Sequence, residues 1–233
     1  MNRTKNLNKY ILTFIFIQFA GAVFFQFISL YIGRFFYEIL RIMYVLLTLY
    51  LLNRWKIGIN KNENLISKYK MQIKNKELII CFLISILGWS LTNQFISDQA
   101  LVKSLPEVFF YLYDNFLMAA VYEEIIFRGC FFDEFKKRYS VLICMLLTGI
   151  LFSCLHIPQQ ILHKGGLQLQ WELLGILKGM FLCCVVLVSK NIFITACFHF
   201  NTAYLGDVLG LLVLLPYFLW KSNKYIFSKN KIN

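Results

Sequence analysis

The hexapeptide Glu123-Glu124-Ile125-Ile126-Phe127-Arg128 lies inside an apolar run that reaches from Pro106 to Phe132. Its reading decides the fold. A charged side chain at the centre of a bilayer costs roughly 2.5–3.5 kcal/mol on insertion scales. Three such groups in six residues need mutual pairing, a water-filled cavity or chemistry to hold them there. Two further apolar stretches carry one histidine each, His156 and His199. Together the five residues point to a catalytic centre enclosed by membrane helices.

Composition supports the enclosing membrane. The chain has 233 residues and is 59% hydrophobic, against about 45–50% for a soluble domain. The excess comes as long runs, several of them reaching the ~20 residues needed to cross a bilayer. We read an all-α polytopic membrane protein with about eight transmembrane helices, at 10–32, 35–52, 78–95, 106–132, 140–156, 171–189, 191–204 and 208–220. The first run is too long for a signal-peptide core and is read as a retained span. The net charge of +12 would suggest nucleic acid in a soluble protein. Here the lysines sit in short hydrophilic segments, which excludes a nucleic-acid partner and sets orientation instead. With eight spans, the basic N-terminus, Lys56 to Lys76, Lys136 to Arg138, Lys190 and the basic C-terminus all fall on the cytoplasmic side. Both termini are then cytoplasmic. The layout is a transmembrane hairpin at 1–52, a basic linker at 53–77, a catalytic helical core at 78–222 and a basic tail at 223–233. The linker forms either a basic surface helix or irregular chain. The seven cysteines have no metal or redox spacing and read as small buried hydrophobes; Cys154 and Cys197 fall close to the proposed centre.

Spacing places the five residues together. Glu123 stands 16 residues before Tyr139, at the turn between two spans, and His156 stands 17 after it. At ~1.5 Å per residue both lie roughly 24–26 Å from that turn, hence at one depth. His199, eight residues past Asn191, reaches a similar level near mid-bilayer. On a regular helix Glu124 and Arg128 share a face and can pair. Glu123 points about 100° away and is free to face a cavity. Phe152 lies one turn before His156 and lines the same side. Lys178, in mid-span, either pairs with a carboxylate of the site or serves an unrelated structural role. Glu172 and Asp207 read as interfacial and His163 as solvated. Pro158 is expected to end the fifth helix just after His156.

Glu123-Glu124-x-x-x-Arg128, then Phe152-x-x-x-His156, then a third histidine segment, resemble the CPBP family of intramembrane proteases. That family includes the CAAX prenyl-protein endopeptidases and Abi-like bacterial relatives linked to bacteriocin processing and self-immunity. The resemblance covers about 106–204, under half of the chain. It implies peptide-bond hydrolysis within the bilayer, with Glu123 and His156 activating a water, Glu124 and Arg128 positioning them, and His199 stabilising the oxyanion. The family's third motif usually reads His-x-x-x-Asn or Asp. Here the segment is His199-Phe200-Asn201-Thr202-Ala203, so Thr202 and Asn201 become the candidate oxyanion donors in place of Ala203. No cofactor is expected; a Glu/His/His site for a divalent metal such as zinc is the geometric alternative. The implied partners are a membrane-embedded peptide or protein substrate and the lipid bilayer, in a bacterial plasma membrane. Two rival readings remain. One is a non-catalytic immunity or scaffold protein that binds a peptide with the same fold. The other is a proton-coupled transporter, against which the lack of internal repeats argues.

Overall fold

The computed structural model describes residues 2–73, 76, 79–80, 82–83, 109–164, 166–202, 216–223 and 226, with the side chains at 2–7, 70–73, 162–164 and 201–202 outside that description. All regular structure among these residues is helical. In chain order the elements are α1 (Asn2–Ile28), α2 (Arg34–Trp55) and α3 (Leu65–Ile73), followed by a long helix α4 that changes its winding along its length. Leu112–Val121 and Ile125–Phe131 of α4 are π-wound, while Tyr122–Glu124 between them and Phe132–Phe135 after them are α-helical. Then come α5 (Val141–Cys154), α6 (Ile157–Lys164), α7 (Leu169–Ser189) and α8 (Ile192–Thr202).

Four stretches among the described residues are long and apolar enough to cross a membrane: Asn8–Ile28, Arg34–Trp55, Val141–Ile161 and Leu169–Ser189. The all-α membrane class therefore holds, with four of the eight expected spans seen among the described residues. The expected spans at 78–95 and 208–220 fall largely outside the described residues. Helix α4 carries Asp114, Glu123, Glu124 and Arg128 and so lacks the uniform apolarity of the other four. Large apolar side chains face outward on α1 and α2, among them Phe16, Phe24, Phe27, Phe35 and Met43. In water such a surface would be a liability; in lipid it is the expected outer face.

Two sequence expectations need correcting. The 3.6-residue period applied to α4 holds over Tyr122–Glu124 and Phe132–Phe135 but not over Leu112–Val121 and Ile125–Phe131, which close i→i+5 rather than i→i+4 bonds. Pro158 does not end the fifth helix. The chain leaves the helix at Leu155 and His156, where the His156 N–H donates to Ser153 O at 2.9 Å, and α6 starts at Ile157. Pro158 sits in the first turn of α6, where a missing backbone donor costs nothing.

Helix α4 is the hub of the packing. On one side Phe127, Cys130 and Phe131 pack with Ile11, Phe14, Leu52 and Phe152. At its end Phe132 joins Met145, Phe181 and Leu182 of α5 and α7, and on a third side Phe116 and Ala120 meet Ala196 and Phe200 of α8. The segment read as a linker is bound to this hub. Ile57, Ile59 and Tyr69 are buried, and the Lys68 ammonium donates to Gly58 O at 2.7 Å, Gly129 O at 2.5 Å and Asp133 Oδ2 at 2.6 Å. The cysteines among the described residues are all free thiols.

Helices α5 and α7 approach through glycine. A Cβ added to Gly179 would sit 2.6 Å from Gly149 Cα, too close for any rotamer to relieve. Small residues at such crossings let helix backbones meet in lipid. Gly179→Ala should therefore lower stability by about 1–3 kcal/mol through overpacking, read as a lower thermal midpoint in detergent. Gly33→Ala, with nothing within 4 Å of the added carbon, should leave the midpoint in place.

Candidate active site

Three local devices bring the charged and imidazole groups together. The first is the Glu124–Arg128 pair on α4. Both side chains are fully enclosed, and Arg128 Nη1 donates to Glu124 Oε1 at 2.8 Å. Arg128 Nη2 donates to Gly179 O on α7 at 3.0 Å. Two buried charges are tolerable only with such pairing and added hydrogen bonds.

The second device is the break after α5. Because the chain departs at Leu155, the Phe152 carbonyl loses its usual helical donor and would be an orphan. His156 Nδ1 lies 2.9 Å from it. A carbonyl only accepts, so the ring donates Nδ1–H, and in the neutral imidazole Nε2 keeps its lone pair. The four-residue spacing of Phe152 and His156 is thus a side-chain cap that fixes a tautomer.

The third is the short link between α7 and α8. Lys190 takes a left-handed conformation, φ 56°, and closes α7 through its N–H to Val186 O at 2.9 Å. Asn191 then caps α8, its Oδ1 accepting from the N–H groups of Phe193 at 2.9 Å and Ile194 at 3.2 Å. This N-cap starts the helix that carries His199 back to α4. There His199 Nδ1 lies 2.9 Å from Glu124 Oε1 and Nε2 lies 3.7 Å from Glu123 Oε2. The ion-paired carboxylate of Glu124 accepts, so Nδ1–H donates. Nε2 is then an acceptor in the neutral ring and a donor only in the imidazolium form.

Phe152 is the platform of the group. Its ring centroid is 4.9 Å from that of His156 and 5.4 Å from that of His199. The Arg128 guanidinium carbon stands 4.7 Å from the same centroid, a cation–π distance. Glu123 and His156 line one cavity of about 200 Å³, walled on its other side by α1 and α2. His156 also lines a second cavity of about 210 Å³, together with Ser153, Trp171 and Lys178. Lys178 is buried in α7.

Residues 105–205 match the family model of the Rce1-like type II CAAX prenyl endopeptidases. The matched segment contains Glu123, Glu124, Arg128, Phe152, His156 and His199 and is the region of the CPBP resemblance. It covers under half of the chain and leaves α1, α2 and α3 outside. No curated protein and no solved structure matches the chain. The match supports an intramembrane endopeptidase in general terms.

Some expectations fall elsewhere. The side chains of Thr202 and Asn201 and the whole of Ala203 lie outside the described residues. Glu172 stands in the first turn of α7. It is buried, because α6 folds back over it: Gln160 Nε2 donates to Glu172 Oε1 at 2.6 Å, and Ser153 Oγ donates to the Glu172 backbone carbonyl at 2.9 Å and to its Oε2. This clasp braces the break that holds His156. Its signal in the sequence was a polar residue, Ser153, near the end of a largely apolar helix. Among the described residues no group of three or more His, Cys, Asp and Glu side chains is placed to hold a metal ion. One nitrogen of each site histidine is already bonded, to Phe152 O and to Glu124.

Proposed function

We propose that the chain is an intramembrane endopeptidase in which Glu123 and His156 activate a water for attack on a peptide carbonyl. One observation carries the reading. Glu123 Oε2 is buried, in the residue that lines the cavity, and makes no hydrogen bond among the described residues. A buried polar oxygen left unsatisfied in a native structure asks for a functional account. A water in that cavity would stand beside two acceptors, the Glu123 carboxylate and the lone pair of His156 Nε2, which suits abstraction of its proton.

In the step proposed, the water proton passes to Glu123 and the new hydroxide bonds to the carbonyl carbon. The tetrahedral oxyanion is stabilised by His199, with the Glu124 carboxylate balancing charge on its ring, and by Thr202 or Asn201 as the further donor. Glu123 then returns the proton to the amine nitrogen as the C–N bond breaks. Arg128 and Glu124 position His199. An apolar cavity of about 290 Å³, lined by Phe16, Phe19, Phe127 and Leu151, adjoins the site and suits an apolar, membrane-embedded peptide. A prenylated C-terminus, a pheromone precursor and a bacteriocin in a bacterial plasma membrane all meet that description. The sequence-level substitution of Ala203 for the usual donor favours one second reading, a peptide-binding immunity protein without turnover.

The test is cleavage of a panel of internally quenched apolar peptides by purified protein in proteoliposomes, with products identified by mass. His156→Ala should slow cleavage by about 10²–10⁴-fold, the usual contribution of a general base. Peptides bound but uncut by the unsubstituted chain would favour the immunity reading. Cleavage should also persist after dialysis against a chelator, with metal content measured alongside; activity lost on dialysis and restored by zinc would replace the Glu/His mechanism with a metal-dependent one.

A further inference from the structure

The cavity at Glu123 has a second unsatisfied polar group, on a helix outside the matched segment. Gln18 of α1 is only 5% exposed, and its Nε2 has no hydrogen-bond partner among the described residues. Its other end is fixed. Tyr122 Oη donates to Gln18 Oε1 at 3.0 Å, and Tyr122 in turn lies 2.8 Å from Thr48 Oγ1 on α2. Tyr122 thus meets the amide at its oxygen, and the NH2 group makes no hydrogen bond among the described residues. Gln18 lines the same cavity as Tyr122, Glu123 and His156. It also lines the apolar cavity beside it. Gly21, one turn further along α1, has no Cβ and so lets the Tyr44 ring close against the helix, which shapes the same wall.

A buried amide donor without a partner costs free energy unless something else accepts from it. A peptide in the cavity offers the matching group, a backbone carbonyl. We infer that Gln18 is a substrate-binding residue whose Nε2 donates to a backbone carbonyl oxygen of the bound peptide, so that α1 sets the position of the chain relative to Glu123. The inference rests on the proteolysis reading for the identity of the ligand as a peptide. It assigns the N-terminal hairpin a role in recognition that the catalytic motifs do not contain. A donor to the backbone reads no side chain. It holds an extended strand in register while the apolar cavity next to it takes a side chain.

The experiment uses the full chain in detergent and a peptide cut in the panel above. A fluorescent copy of that peptide is titrated against Glu123→Gln protein, followed by anisotropy, so that hydrolysis plays no part. Adding Gln18→Met should weaken Kd about tenfold, the loss of one buried hydrogen bond. Gln18→Glu, which keeps an acceptor for Tyr122 and puts an oxygen where the donor stood, should weaken it at least as much. In the otherwise unsubstituted chain Gln18→Met should raise KM about tenfold and lower kcat less than threefold, the split expected for lost binding. Replacing the peptide's carbonyl oxygens by sulfur one at a time should reveal one position whose effect vanishes in both Gln18 variants. That scan decides the matter even if Gln18→Met lowers the yield of folded protein. An unchanged Kd in Gln18→Glu, or a scan with no Gln18-dependent position, overturns the inference and leaves the amide to an ordinary cavity water. If Glu123→Gln instead cuts the peptide at the normal rate while Kd still depends on Gln18, the catalytic reading falls and the binding role stands.

Discussion

Glu123→Gln should lower kcat by about 10³-fold, within the range a positioned general base contributes, while the protein accumulates and unfolds at the normal temperature or above it. The two halves of this result have separate causes. The amide keeps the size of the carboxylate and its place in the cavity wall, but it cannot take a proton from water. The stability half follows from the missing partner. Glu123 Oε2 makes no hydrogen bond among the described residues, and the nearest cation-forming atom, His199 Nε2, is 3.7 Å away. Burying a poorly compensated carboxylate is costly, so replacing it by a neutral isostere removes a cost rather than an interaction. A residue kept against stability is what a functional site leads one to expect. Turnover of the fluorogenic peptide and thermal unfolding in detergent measure the two halves. Normal turnover in the variant would remove Glu123 from the chemistry; a lower midpoint would make it structural.

The opposite behaviour is expected one residue further on. Arg128→Met should destabilise the protein by about 3–5 kcal/mol, the penalty for leaving one member of a buried ion pair uncompensated. Glu124 has no exposure at all and holds both Arg128 and His199. Without the guanidinium it loses the cation bonded to its Oε1, and Gly179 O loses its donor as well. Against a total stability of about 5–15 kcal/mol for a typical domain, that loss should appear as a sharply reduced yield of folded protein. The double variant Glu124→Gln, Arg128→Met should recover most of it, since removing both charges can be nearly neutral where removing one is not. The difference between the double variant and the two single ones measures the coupling. Equal stability of Arg128→Met and the unsubstituted protein would mean that water reaches the pair.

Much of this was legible locally. The helical class follows from runs of apolar residues, because a chain in lipid must satisfy its backbone internally. The Glu124–Arg128 pair follows from two residues four apart, and the His156 cap on Phe152 O has the same spacing. Each depends on geometry within a single turn. The π winding of α4 and the restart of the helix before Pro158 were not legible, since neither leaves a mark in residue type.

What the sequence by itself determined is therefore the set of groups that must be sheltered: two acids, an arginine and two histidines in apolar surroundings. Only the tertiary structure decided which oxygen each of them meets. His199 reaches Glu124 across 75 residues of chain, Glu172 is covered by a helix that folds back on it, and Gln18 comes to the cavity from a helix far away in sequence. Those partnerships are set by how the helices pack, and packing depends on the fit of many side chains at once rather than on the spacing of any two.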